Sequence, residues 1–466
     1  MLKGIFTTFG NCFKIPELKS RIFFTLMVLC VCRLVSMIQV PGLDGAALSE
    51  FFQEMAERQE GAGVLGMYSM FTGGAMEKCA IGALGIMPYI SATIIIQLMS
   101  AVVPTLSKLA REEGGRVKIV QYGRYLTVLL CLGQGFVMSL AWENPAKIFG
   151  DSFQGELVLT DNVWWYRIQT TLILTTGTCL LMWLGEQITD RGIGNGISLV
   201  ITIGILARFP QAMQVLWEWI FPAQEGESFN PFHLVALVGL LIAVTAATVA
   251  ITQAQRKIPV QYAQRQVGRK MMQGSSSFMP LRVNYAGVMP IIFAQALLMF
   301  PEKIFSFVGK AFELKFLQDA AVLFSHGTLG YFLLLAFMII FFTYFWTATQ
   351  FNELQISDDL KKHGGYIPGV RPGQATCDFL HHTMSRITLA GAVFLTVIAV
   401  IPDLLAVKLK INYLVAQFFG GTSLLISVGV VLDTMRQMES HLLMRHYDGF
   451  LQGKKGRKGP RLRGRF

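Results

Sequence analysis

At 466 residues, 53% of them hydrophobic and only 15% charged, the chain lies far from the soluble globular balance, in which about a quarter of residues are charged. Its net charge of +11 needs acidic or anionic surroundings to meet it, while its 35 Phe and 45 Gly residues suit helices packed closely in lipid. The seven cysteines (Cys12, Cys30, Cys32, Cys79, Cys131, Cys179 and Cys377) are scattered, mostly within apolar stretches, and form no CxxC pair, which excludes a disulfide framework or a zinc site.

A hydrocarbon core about 30 Å thick needs roughly 20 apolar residues in helix. The first apolar run, Ile22 to Val40, carries Arg33 and ends in Pro41-Gly42 with no A-x-A site, so it reads as a retained span rather than a cleaved signal. Spans are predicted near 21–38, 79–99, 118–141, 165–185, 197–217, 233–252, 284–303, 329–350, 386–403 and 419–438. Val64 to Ala75 is apolar but too short to cross, and is expected as a re-entrant half-helix. Pro88 falls inside the second predicted span and is expected to bend it. Ile86 and Ile90 share one face there by their i,i+4 spacing, as do Ile197 and Ile201 in the fifth span. Before the fifth span, Gly192-Ile-Gly-Asn-Gly196 predicts a tight turn; no strand precedes it, so it is not a dinucleotide fingerprint.

These elements divide the chain into a half of five spans (1–217), an outside loop (218–232), a second half of five (233–438) and a basic tail (439–466). An odd number of spans per half implies inverted orientation of any duplicated unit. Most of the Lys and Arg residues fall on one side, which places both termini in the cytoplasm by the positive-inside bias. Outside loops are acidic instead, with Asp44, Glu50, Glu54, Glu57 and Glu60 in one and Glu143, Asp151, Glu156 and Asp161 in the next. Two cytoplasmic loops stand out: 253–283 has six basic residues and no acidic one, and 351–385 contains a turn-rich stretch of Gly and Pro.

No chemical engine is legible. The sequence has no phosphate-binding GxxxxGK[ST], no HExxH and no GxSxG, and His363, His381 and His382 have no ligand-spaced partner, so neither enzyme activity nor a cofactor is expected. Glu186, Glu302 and Asp403 fall at span ends, while Arg33, Arg167, Arg208 and Asp433 lie off-centre within spans and are expected as structural or interfacial charges.

Five motifs are specific. Ala83 to Gln97 (ALGIMPYISATIIIQ), 191–198 (RGIGNGIS), 283–290 (VNYAGVMP), 370–373 (VRPG) and 419–426 (FGGTSLLI) resemble, in order and over nearly the whole chain, the SecY family of bacterial Sec translocon channels. The resemblance implies an all-α integral membrane protein: ten transmembrane helices in two pseudo-symmetric inverted halves, with a re-entrant plug half-helix. It implies a waist ring at Ile86, Ile90, Ile197, Ile201, Ile292 and Ile426, and a plug carrying Met67, Phe71, Gly73 and Gly74. It also implies a lateral gate with interhelical hydrogen bonds at Gln97, Thr127 and Asn284, and motor or ribosome docking through Arg256, Lys257, Arg269, Lys270 and Arg371. Implied partners are SecE-like and SecG-like subunits, the SecA ATPase, the ribosome, signal sequences with unfolded preproteins, and lipid. The expected function is a passive protein-conducting channel in the bacterial cytoplasmic membrane. A secondary solute transporter is the competing reading, and would need a polar or charged site near the midplane.

Overall fold

The structure, a computed structural model, describes residues 15–57, 69–112, 114–145, 157–160, 162–220, 231–262, 265–267, 270–272, 276–298, 305, 315–324, 327–408 and 413–451. Met67, Arg269, Glu302 and most of the basic tail lie outside the described residues.

The first half contains α1 (Pro16–Val35), α2 (Gly45–Glu57), α3 (Met87–Val102), α4 (Pro104–Arg111), α5 (Gly115–Glu143), α6 (Val163–Arg191), α7 (Gly196–Leu206) and α8 (Phe209–Ile220). The second contains α9 (Pro231–Gln253), α10 (Met289–Leu298), α11 (Lys315–Phe324), α12 (Leu329–Gln350), α13 (Glu353–Lys362), α14 (Gln374–Lys408), α15 (Tyr413–Phe419) and α16 (Thr422–Leu451). Strands β1 (Gln255–Tyr262), β2 (Arg265–Val267), β3 (Lys270–Met272), β4 (Ser276–Arg282) and β5 (Gly365–Tyr366) lie in the two long loops.

Each predicted span overlaps helix among the described residues. Seven helical stretches there are long and apolar enough to cross a membrane, at the positions of the third to sixth and eighth to tenth predicted spans. The first, α1, is a 20-residue helix carrying Glu17, Lys19, Arg21 and Arg33. The second and seventh are short, Met87–Ser100 and Met289–Leu298 among the described residues.

The second span corrects an expectation. It was placed at 79–99 with Pro88 as a bend, but residues 81–86 are turns and helix begins at Met87. Pro88 therefore sits in the first helical turn, where no N–H is required and its fixed φ favours initiation. The fifth predicted span likewise divides into α7 and α8 at Ala207-Arg208.

Helix starts follow local chemistry. The side-chain oxygens of Asn162, Asn195, Thr328 and Asn352 accept from the backbone N–H groups of Trp165, Ser198, Tyr331 and Gln355. Within spans, Thr171, Thr175, Thr202, Thr248 and Thr343 donate their hydroxyls to the carbonyl four residues earlier. That satisfies a polar group in lipid without a neighbouring helix.

In the first half α6 packs against α1, α5 and α7, and α3 against α5; in the second, α14 packs against α9 and α12, and α9 against α16. The halves meet where α7 packs on α16 and α8 on α15. Large apolar side chains point outward along the spans, including Phe23, Leu129, Leu172, Val235, Leu333 and Leu389, as a lipid-facing surface requires.

Close approach at α6 depends on Gly177, where an added Cβ would stand 2.3 Å from the Ile81 carbonyl oxygen. Gly133 on α5 faces open space. Gly177→Ala is expected to lower stability by about 1–3 kcal/mol through overpacking against backbone, whereas Gly133→Ala is neutral or slightly stabilising. Thermal unfolding of the purified protein in detergent checks this; equal midpoints for the two variants would contradict the packing.

Candidate functional site

Six isoleucines from four helical segments meet in one apolar cluster. Ile86, Ile90, Ile201, Ile292 and Ile426 are buried at 3% exposure or less, and Ile197 packs partly buried against the same cluster. Local structure explains how they converge. Ile86 caps α3 and Ile90 lies in its first turn, with the Ile90 N–H donating to the Ile86 carbonyl at 3.2 Å. Ile197 and Ile201 occupy the first two turns of α7, Ile292 the first turn of α10 and Ile426 the second turn of α16. Each helix starts one or two residues after a glycine: Gly85, Gly194, Gly287 and Gly421. The six isoleucines themselves offer branched carbon alone, a surface that dewets and makes no directional bond.

Phe71 and Met70 belong to the same cluster. They lie in a short helical stretch, 69–72, which ends in a turn with Gly73 and Gly74 at φ +66° and +83°. A Cβ on Gly73 would stand 2.9 Å from the Gly204 Cα of α7, so only glycine allows this seat. Within the expected half-helix, the described part is helical at 69–72, with Phe71 in the isoleucine cluster and Gly73 and Gly74 beside Gly204 and Arg208.

Two span arginines, expected as structural or interfacial charges, are structural and bind this segment. Arg33 Nη1 donates to the Gly73 carbonyl at 3.0 Å. Arg208, 6% exposed, donates from Nη2 to Ser69 Oγ at 2.8 Å and forms an ion pair with Glu77. Ser69 Oγ in turn donates to Glu77 Oε1 at 2.7 Å. A charge at mid-membrane costs at least about 2.5–3.5 kcal/mol, so a partnered arginine is what burial demands. Arg167 does behave as an interfacial charge, making a two-point pair with Glu143 at 2.9 Å and lying over the Trp164 ring.

At the expected gate, the three polar side chains do not join. Thr127 Oγ1 donates to Gly123 O at 2.7 Å within its own helix, and Asn284 Nδ2 donates to Gly287 O at 2.9 Å. Gln97 is half-buried on α3. Among the described residues no hydrogen bond links the three, which corrects the interhelical bonding expected there; short local acceptors outcompete a partner on another span. Spans seven and eight instead pack through Phe293 against Phe342 and Trp346, with ring centroids at 6.0 and 5.3 Å.

Sequence reasoning also missed a buried polar network. Gln417 donates from Nε2 to Asp403 Oδ1 at 3.4 Å and accepts from Thr422 Oγ1 at 3.3 Å and Ser423 Oγ at 3.1 Å; Gln295 Nε2 donates to Thr422 Oγ1. It ties α10, α14, α15 and α16 together just before Ile426. A glutamine within each apolar run was the available signal.

The two long loops between spans, 253–283 and 351–385, contribute to one folded unit. β1 and β4 pair antiparallel from Gln255↔Arg282 to Gln261↔Ser276, and β5 adds to β1 through Gln261↔Tyr366. Ile258, Val260, Leu281, Phe351, Ile367, Leu380, Met384 and Ile387 form its core. The alternation Ile258, Val260, Tyr262 was the unread strand signal. Arg256 and Lys257 are exposed on β1, and Lys270 lies in the β2–β3 hairpin. Arg371 is exposed on a turn held by Ser357 Oγ donating to Gly373 O at 2.7 Å and Thr376 Oγ1 to Arg371 O at 2.9 Å. Among the described residues no group of three His, Cys, Asp or Glu is placed to hold a metal.

Known proteins share this arrangement. The SecY family model matches residues 80–435. The chain is 41% identical over 453 residues to the protein translocase subunit SecY of Chlamydia trachomatis, covering 96% of this chain and 98% of that one. It is 40% identical over 459 residues to the SecY of Thermotoga maritima, with the same coverage. Its fold matches a solved protein-conducting channel at 18% identity and a TM-score of 0.60, covering 95% of this chain and 99% of that one. It also matches a SecY whose plug domain is described as stabilising the closed channel and maintaining a membrane seal (17%, TM-score 0.59), and Sec61 in a canine ribosome–channel complex (18%, TM-score 0.56), at the same coverage. With a family model spanning most of its length and relatives at about 40% identity end to end, the chain belongs to the SecY family.

Proposed function

We propose that this chain is the protein-conducting channel of a Sec translocase, passing unfolded signal-bearing polypeptides across the membrane and releasing apolar segments sideways into lipid. The convergence of six isoleucines with Phe71 in one buried cluster carries the reading. A waist of branched apolar side chains blocks ions when collapsed, yet holds no passing chain by specific bonds. Residues 69–74 act as the plug over it, and Gln97, Thr127 and Asn284 mark the seam through which a signal helix leaves. The transporter reading is not favoured, because the arginines within α1 and α7–α8 are committed to residues 69–77 rather than to a substrate site.

The chain sits in the bacterial cytoplasmic membrane with both termini inside, its two five-span halves inverted relative to each other. SecE-like and SecG-like subunits accompany it. Energy comes from a SecA ATPase or from the elongating ribosome, docked on the hairpin module at Arg256, Lys257, Arg269, Lys270 and Arg371. The defining experiment reconstitutes the complex in vesicles: a signal-bearing protein is expected to enter only when the ATPase and ATP are present, and ATP-independent uptake of small solutes would favour a transporter.

Replacing Ile86 or Ile426 with Asn puts an amide into the cluster, where it recruits water. Resting single-channel conductance is expected to rise several-fold in both variants; wild-type silence in both would remove the ring assignment. Arg371→Glu reverses an exposed charge on a turn held by other residues, so the fold is expected to survive while ATPase-driven translocation falls about tenfold or more. Normal translocation by a correctly folded variant would move the docking site elsewhere.

A further inference from the structure

Arg33 and Arg208 are span charges that neither the constriction nor the docking module uses. Both reach the same segment from different helices. Arg208 stands at the break between α7 and α8, Arg33 in the last turn of α1, and between them they hold Ser69, Gly73 and Glu77. Ser69 is fully buried, and its hydroxyl bridges the other two members by accepting from Arg208 and donating to Glu77. Arg208 Nε has no hydrogen-bond partner, so its bonds to Ser69 and Glu77 are what compensate its burial among the described residues. The segment is therefore held in two ways, by apolar contact at Met70 and Phe71 and by directional, charge-assisted bonds at residues 69, 73 and 77.

We infer that Arg208, Glu77 and Ser69 form a clasp that sets how apolar a segment must be before it opens the channel. This rests on the channel reading above. To leave its seat, residues 69–77 must break the ion pair and strand a guanidinium in surroundings that cannot replace its partner. An arriving signal segment has to supply that difference through its own burial between helices, and a ligand shifts an equilibrium only by its differential affinity for the two states. The isoleucine cluster seals equally against any segment, whereas the clasp adds a fixed threshold. Arg33, bonding a backbone carbonyl, positions the turn and is not removed by side-chain changes in the segment.

The test uses the reconstituted complex with a series of signals graded in leucine content. Glu77→Gln, Ser69→Ala and Arg208→Gln are each expected to raise export of the weakest signals about tenfold while strong signals are exported as before. The exchanged pair Glu77→Arg with Arg208→Glu is expected to recover at least part of the threshold, and Arg208→Lys to retain most of it. A merely structural role would lower export of all signals alike and would not be rescued by exchange. An unchanged threshold in Glu77→Gln and Ser69→Ala overturns the clasp even if Arg208 variants fail to fold, since the first removes the charge that pairs with Arg208 and the second the hydroxyl that accepts from it. Ile86→Asn run alongside separates the two readings: if it leaks while the clasp variants do nothing, the channel stands and the clasp falls; if wild-type complex exports nothing with ATPase and ATP, the channel reading itself fails.

Discussion

A pore through lipid has to be closed by contacts that a passing chain need not break one by one. The isoleucine cluster has the chemistry that constraint asks for, branched carbon without directional bonds, and much of the architecture follows from its convergence. For six side chains from four helical segments to converge, those helices must start near the same depth rather than run past it. Thus α3 begins only at Met87, α7 is an eleven-residue piece, α10 starts at Met289 and α16 at Thr422. All six isoleucines fall at the N-cap or in the first two turns. Helices that carry no ring residue, such as α5 and α6 with 29 residues each, are uninterrupted.

Interruption within a membrane creates a second problem, because helix starts leave backbone donors without partners where no water can replace them. The structure answers with side chains and neighbouring segments. Asn195 caps α7, Thr189 Oγ1 accepts from the Gly196 N–H at 2.9 Å, Thr25 Oγ1 from Ile193 at 3.0 Å and Gln437 Oε1 from Gly194 at 2.9 Å. That one turn is therefore bonded to α1, α6 and α16 together. It is a fixed joint between the halves at the base of α7, and explains why a glycine-rich stretch expected only as a tight turn is so specific in composition.

Legibility tracked the kind of interaction involved. Spans were readable because apolar length is a one-dimensional property, and the paired isoleucines because i,i+4 spacing is local. Ile292 and Ile426 had no such local mark and came only through family resemblance. The start of α3 was misplaced because hydropathy does not distinguish an apolar turn, 81–86, from an apolar helix; Pro88 and Gly85 were the discriminating residues. Arg33 and Arg208 were legible only as structural or interfacial charges without partners, since residues 69–77 are distant in sequence and the pairing depends on how the segment folds back. At Gln97, Thr127 and Asn284 a sequence cannot reveal that the Thr127 hydroxyl and Asn284 Nδ2 each donate to a carbonyl three or four residues away, while Asn284 Oδ1 has no partner among the described residues.

The strand module and the isoleucine cluster are not joined by loose chain. Leu380, Met384 and Ile387 place the N-terminal part of α14 in the module's core. The same helix continues to Lys408, a length of about 50 Å at ~1.5 Å per residue. Near its far end Asp403 is bonded to Gln417, which holds Thr422 and Ser423 at the start of α16, while Thr422 is bonded to Gln295 of α10. Those two helices carry Ile426 and Ile292. A load on the module therefore meets a continuous helix, interrupted only by Pro402, rather than a flexible loop. Its far attachment is made of hydrogen bonds, which are directional and resist shear, whereas the isoleucines beyond it are held by packing alone.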